Sequence, residues 1–117
     1  MAVSANLSRI LADIGDVTLV AVTKYATAEQ IQALYAAGQR IFAESRIQVA
    51  KEKVARYPDV AWHLIGHLQT NKAKQAVQLF TLIQSVDSLH LAEAISKEAG
   101  KINKVQDVLI QVNIGRE

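Results

Sequence analysis

The sequence predicts an α/β protein in which parallel strands alternate with helices, making up part of an eight-stranded TIM-type (β/α) barrel. Three observations carry this reading. Apolar, β-branched runs begin near positions 17, 40, 60, 81 and 105, the regular spacing of strand–helix units. The segments between them repeat apolar residues at helical intervals and are long enough for right-handed crossovers between parallel neighbours. The first run, Val17-Thr18-Leu19-Val20-Ala21-Val22-Thr23, is nearly unbroken in its apolar character. Burial on both faces of a parallel sheet gives that pattern. About five strands do not close a barrel of eight. An incomplete barrel is therefore expected, with helices outside and an open sheet edge, either belonging to a larger barrel or pairing with a second copy.

Each element has a local reason. Val3, Leu7, Ile10, Leu11 and Ile14 fall on one helical face, so residues 3–14 form an amphipathic helix with Gly15 just past its end. The strand over 17–23 follows. Thr27-Ala28-Glu29-Gln30 has the capping-box pattern and opens a helix carrying Ile31, Leu34 and Tyr35, ended by Gly38. Residues 40–43 make a short strand. Ser45 is placed to cap the next helix, whose apolar face is Ile47, Ala50, Val54 and Tyr57 and which Pro58 stops.

The third strand covers 60–65 and closes at Gly66. Thr70 is expected to cap a helix carrying Ala73, Ala76, Val77 and Phe80. The fourth strand covers 81–86. Asp87 or Ser88 caps a helix with Leu91, Ala92, Ile95 and Ala99, which Gly100 should end. The fifth strand begins at Val105 or Asp107 and runs to Val112.

Composition narrows the class. The 117 residues are 50% hydrophobic and 21% charged, as expected of one globular domain. The formal net charge is +2, and no basic run is interleaved with aromatics, so neither nucleic acid nor a membrane surface is expected as a partner. There are no cysteines, which excludes disulfides and thiol chemistry. Met1-Ala2-Val3-Ser4 lacks the basic and apolar regions of a signal peptide, and no apolar run reaches the length of a membrane span. A cytoplasmic location is the default.

Lys24 is the leading candidate for chemistry. It stands where the first strand ends, at the carboxyl edge where α/β sheets place their ligands. An amine held beside a low-dielectric core there can condense with an aldehyde cofactor. A lysine chosen blind would instead be a solvated surface residue. Ser45 follows the second strand and has helix capping as its simpler role; Glu44 and Arg46 beside it read as solvated. His63 and His67 are four apart, but one falls on a strand and the other in a loop, so no metal site is expected. His63 reads as an inward core histidine with one satisfied nitrogen, and Trp62 as packing. Gly66-His67-Leu68-Gln69-Thr70-Asn71-Lys72 is a polar entry into a helix, a place that favours anions. Ser85 and Asn113 also fall at strand ends. No Ser/His/Asp order or Gly-rich phosphate loop appears.

Three segments together resemble one family: Leu19-Val20-Ala21-Val22-Thr23-Lys24, Phe42-Ala43-Glu44-Ser45-Arg46-Ile47-Gln48, and Trp62-His63-Leu64-Ile65-Gly66-His67-Leu68-Gln69-Thr70-Asn71-Lys72. Ile83-Gln84-Ser85-Val86-Asp87-Ser88 and Ile110-Gln111-Val112-Asn113 agree in order and spacing. The family is that of the pyridoxal phosphate homeostasis proteins, also called the YggS or PROSC family. The resemblance implies a fold-type III barrel like the N-terminal domain of alanine racemase. It implies pyridoxal 5′-phosphate held as a Schiff base on Lys24; Ser45, His63, Ser85 and Asn113, on or just after the strands, are the further cofactor-binding candidates. It also implies an intracellular role in buffering or delivering the cofactor without an established turnover. The family usually has Gly-Glu-Asn where this chain has Ala43-Glu44-Ser45, so the asparagine near the cofactor ring has no counterpart at Ser45. It commonly has a proline shortly after the lysine, and Tyr25-Ala26-Thr27 has none. Family members continue into a second half that carries the later strands and the phosphate site. Residues 1–117 are thus expected to be a C-terminally truncated, N-terminal portion of the barrel. Two rival readings remain. One is a fold-type III racemase or decarboxylase relative, which needs a second domain. The other is a cofactor-free half-barrel that self-associates through its open edge.

Overall fold

The computed structural model describes residues 2–112. In chain order the elements are α1 (Ala2–Ile14), β1 (Ala21–Val22), α2 (Ala28–Ala36), β2 (Ile41–Glu44), α3 (Ile47–Arg56) and β3 (Ala61–Leu64). A 3₁₀ turn (Thr70–Lys72) then leads into α4 (Ala73–Leu79), followed by β4 (Leu82–Val86), α5 (Leu89–Lys101) and β5 (Asp107–Ile110). The strands form one sheet in the order β1-β2-β3-β4-β5, and every pair is parallel. Each helix from α2 to α5 therefore carries the chain to the next neighbour in one direction, as in a barrel wall. The expected α/β partial barrel is the architecture found.

Register sorts the side chains onto two faces. Ala21 pairs with Phe42, Phe42 with Trp62, and Leu64 with Ile83. This face meets the helices and supplies the core, with Ile31, Ala50, Ala76, Val77, Leu91, Ile95 and Ala99 opposite. Phe42 and Trp62 pack with ring centroids 5.4 Å apart. The Trp62 indole N–H donates to the Tyr57 carbonyl at 3.1 Å, so the largest core side chain leaves no polar atom stranded. The opposite face carries Val22, Ala43 and His63 in one row across the sheet.

The first strand is shorter and barer than the sequence suggests. Continuous apolar character over 17–23 points to burial on both faces, but ladder pairing covers Ala21–Val22 alone, and Val17 and Val22 are 64% and 50% exposed. The cause is position. Among the described strands β1 is an edge strand with one neighbour, β2. At the other edge, Leu109 and Ile110 of β5 are exposed for the same reason.

Helix ends confirm some expectations and correct others. The Thr27 capping box is complete: Gln30 N–H donates to Thr27 Oγ1 and Thr27 N–H to Gln30 Oε1. Gly38, at φ 106°, closes α2 with bonds from Gly38 N–H to Tyr35 O and from Gln39 N–H to Leu34 O, a Schellman arrangement. Ser88 caps α5 through the Leu91 N–H. Ser45, however, does not cap α3. Arg46 holds that position without a side-chain bond, and the Ser45 N–H is already taken by Glu44. Thr70 opens the 3₁₀ turn instead of capping α4, which begins three residues later at Ala73. Gly100 does not end α5. The helix runs to Lys101, and the left-handed residue is Asn103 at φ 54°, with Asn103 N–H bonded to Gly100 O and Lys104 N–H to Ala99 O.

Lys104 then reaches across to α4. Its Nζ donates to Val77 O at 2.5 Å and Phe80 O at 2.8 Å, filling carbonyls at the negative end of that helix. Partial burial holds its pKa below the ordinary lysine value. Lys104→Met is expected to leave those carbonyls without the amine and to lower stability by about 1–3 kcal/mol, read by urea denaturation. An unchanged midpoint would show that water replaces the amine at no cost.

Candidate functional site

Lys24 emerges at the carboxyl end of β1, inside a tight turn. The Ala26 N–H donates to the Thr23 carbonyl at 3.0 Å, which puts Lys24 and Tyr25 at the turn's centre. Tyr25 has φ 63°, the left-handed region that the third residue of a type II turn requires and that glycine occupies most easily. For a tyrosine this costs about 1–2 kcal/mol. The Tyr25 ring is almost fully exposed, so its packing does not offset the strain. Lys24 Nζ lies 5.8 Å from the centroid of that ring. Among the described residues it has no hydrogen bond or ion pair.

Polar groups beneath the turn hold it. Thr23 is buried; its N–H donates to Ala43 O at 2.9 Å, and its hydroxyl lies 3.0 Å from both Ala43 O and Glu44 Oε2. The Glu44 carboxylate also accepts the Ser45 N–H at 2.7 Å and Lys53 Nζ at 2.5 Å. Lys53 comes from the third turn of α3 and reaches the Thr23 carbonyl and hydroxyl as well, each at 3.2 Å. The sequence reads Glu44 as solvated, but its side chain is 2% exposed. β2 runs one residue further than expected, which places Glu44 on the helix-facing side in line with Phe42.

Lys24, Ser45, Arg46, Val49 and Lys53 line a cavity of about 510 Å³ above the ends of β1 and β2. Beside it a second hollow, of about 360 Å³, shares Ser45 and Arg46 and is bounded by His67, Gln69 and Lys72 from the loop after β3. Gly66 lets the two loops meet: a Cβ there would lie 2.1 Å from the Ser45 carbonyl oxygen. Of the residues singled out from the sequence, Lys24 and Ser45 therefore come together. His63 and Ser85 do not line the Lys24 cavity, and Asn113 lies outside the described residues. His63 is half-buried and meets Gln84, whose amide nitrogen lies 3.1 Å from Nδ1. With the amide donating, the ring proton falls on Nε2. Burial lowers the His63 pKa and favours the neutral ring. Ser85 is buried beside the β4 irregularity, and its hydroxyl finds no partner among the described residues. Thr23, Lys53 and Gly66 are the contributors that sequence reasoning missed.

Burial by itself would raise the Glu44 pKa. The hydrogen bonds from Lys53 and Ser45, the Lys53 charge and the Thr23 hydroxyl outweigh it and hold the carboxyl below its ordinary 4.5. A depressed carboxyl pKa stabilises the fold fully above the unfolded value and loses that stabilisation as pH falls through the folded one. Glu44→Gln is therefore expected to cost about 3 kcal/mol at pH 7 and to flatten the fall in stability below pH 4.5, measured by urea denaturation across that range. A variant whose acid limb parallels the parent's would contradict this. Gly66→Ala is expected to displace the Ser45 backbone and cost about 1–3 kcal/mol, read by thermal melting.

Residues 1–117 match the alanine racemase N-terminal domain family. The pyridoxal phosphate homeostasis protein of Synechocystis sp. is 48% identical over 101 residues, which cover 84% of this chain and 46% of that protein. Its counterpart from Aquifex aeolicus is 42% identical over 101 residues, covering 85% and 44%. Among solved structures, PipY of Synechococcus elongatus with PLP bound superposes with a TM-score of 0.91 at 38% identity, over 98% of this chain and 56% of that one. The same protein without PLP gives 0.92 at 39% identity, over 98% and 55%. The chain spans about half the length of the curated relatives it matches. By the match along its whole length, the chain belongs to the alanine racemase N-terminal domain family, and within it is similar to the pyridoxal phosphate homeostasis proteins.

Proposed function

We propose that this chain forms the cofactor-anchoring part of an intracellular pyridoxal 5′-phosphate homeostasis protein, with Lys24 as the point of attachment. The observation that carries the reading is an amine without a hydrogen bond or ion pair among the described residues, lining a cavity at the carboxyl edge of a parallel sheet. That is the edge where such sheets hold ligands. Relatives named for pyridoxal phosphate homeostasis, and the PLP-bound PipY, support the choice of cofactor.

The residues present fit such a group. About 510 Å³ lies within the usual range for small-molecule sites. Arg46 and Lys53 line the cavity and suit an anionic ligand, while Glu44, its one acidic lining residue, is bonded to Lys53. When bound, pyridoxal phosphate supplies an aldehyde carbon. Lys24 would hold that carbon covalently through Nζ. Lys24 is the nucleophile and the tether. Arg46 attracts the anionic end, and Ser45 stands beside the anchor with a side chain that can accept or donate a hydrogen bond. Holding and releasing a cofactor needs only that this bond be reversible.

The test is reductive trapping. The protein is mixed with pyridoxal phosphate, reduced with borohydride and mapped by peptide mass spectrometry. The label is expected on Lys24 and should vanish in Lys24→Ala. A label on another lysine, or none in a full-length relative, rejects the reading.

A further inference from the structure

We propose that Lys53, acting through Glu44 and Thr23, is the positioning residue for Lys24. It fixes the strand-end turn from which the amine reaches the cavity. The inference rests on the function proposed for Lys24 and adds residues which that role does not itself require.

The placement of Glu44 is the first argument. It lies on the helix-facing side of the sheet, where Phe42, Trp62, Leu64 and Ile83 are buried and apolar. An apolar side chain would pack there without the desolvation cost of a charge. A charge at such a place is explained by the geometry it imposes, and all of its bonds run to the end of β1, the end of β2 and Lys53.

The second argument is how thoroughly Thr23 is held. Its N–H is bonded to Ala43, its hydroxyl meets Ala43 O, Glu44 and Lys53, and its carbonyl accepts from both Ala26 N–H and Lys53 Nζ. Every polar atom of the residue preceding Lys24 is thus committed. β1 contributes only Ala21 and Val22 to the ladder, so backbone pairing alone fixes little of this end. The left-handed Tyr25 adds strain that persists only when the surroundings over-determine it.

Lys53 is the member that joins this clamp to the cavity. Its side chain is 18% exposed and lines the same cavity as Lys24, while its amine sits in the clamp. Losing it would leave the Thr23 carbonyl with the Ala26 N–H alone and Glu44 as a buried carboxylate without its cation.

Two readouts test the proposal. The first is amide hydrogen exchange at Ala26, whose N–H closes the turn. The second is the rate of pyridoxal phosphate trapping at Lys24 with borohydride, followed across pH. In Lys53→Met, exchange at Ala26 is expected to rise on the order of ten-fold, the effect of losing one charge-assisted hydrogen bond. Trapping at Lys24 should slow by about ten-fold or more, with exchange in α4 and α5 unchanged. Lys53→Arg, which keeps the charge and the donors, should recover most of both. Parent-like exchange and trapping in Lys53→Met overturn the proposal. So does a uniform rise through α4 and α5, which would make Lys53 a general stability residue. If Lys53→Met does not fold, Thr23→Val removes the hydroxyl with little change of shape and is judged by the same readouts. If the parent is not trapped at Lys24, the proposed function fails, and exchange at Ala26 alone decides the positioning role.

Discussion

A single carboxylate, that of Glu44, ties together the end of this sheet that bears the cavity. β1 is an edge strand with two ladder residues, and such an end would fray on its own. Glu44 accepts from Thr23 on one side, from the Ser45 amide behind it and from Lys53 on the helix above. Strand, loop and helix are thereby joined through one side chain. The carboxylate is buried at some cost, and its donors offset that cost while it remains ionised.

The two faces of the sheet differ in completeness. On the helix side, Phe42, Trp62, Leu64 and Ile83 are closed off by α2 to α5, and helix ends are finished by Ser88, Lys104 and the turns at Gly38 and Asn103. On the inner side, Val22 and Leu109 stay exposed and His63 is half-buried against Gln84. This is the anatomy of a barrel wall seen over part of its circumference. It agrees with relatives of which this chain covers about half.

Much of this was legible in the residues. The change between strand and helix periodicity marks each α-helix and strand, though not the 3₁₀ turn at Thr70–Lys72, and Lys24 stands out because it ends an apolar run. The edge position of β1 was not legible, since a continuous apolar run looks alike in a central strand and at a barrel seam. Glu44 was misread because a strand ending at Ala43 puts it in a loop; one more residue of pairing, with Leu64, turns it inward. Lys53 carried no local signal, being one of two lysines on an amphipathic helix, although it lies one turn beyond the buried Ala50. Ser45 and Thr70 have the composition of caps, but tertiary context puts Arg46 at the N-cap of α3 and a 3₁₀ turn at Thr70. The need for Gly66 arises only when the Ser45 backbone comes to lie against it.

The ionised, buried state of Glu44 underlies the whole description of the Lys24 turn. It is read most directly by following the Glu44 side-chain carboxyl carbon through an acid titration by carbon-13 NMR. A midpoint below the ordinary 4.5 is the expected result, with the Tyr25 and Ala26 amide signals shifting in the same step. A midpoint at or above 4.5, or amides that ignore the titration, would contradict the account.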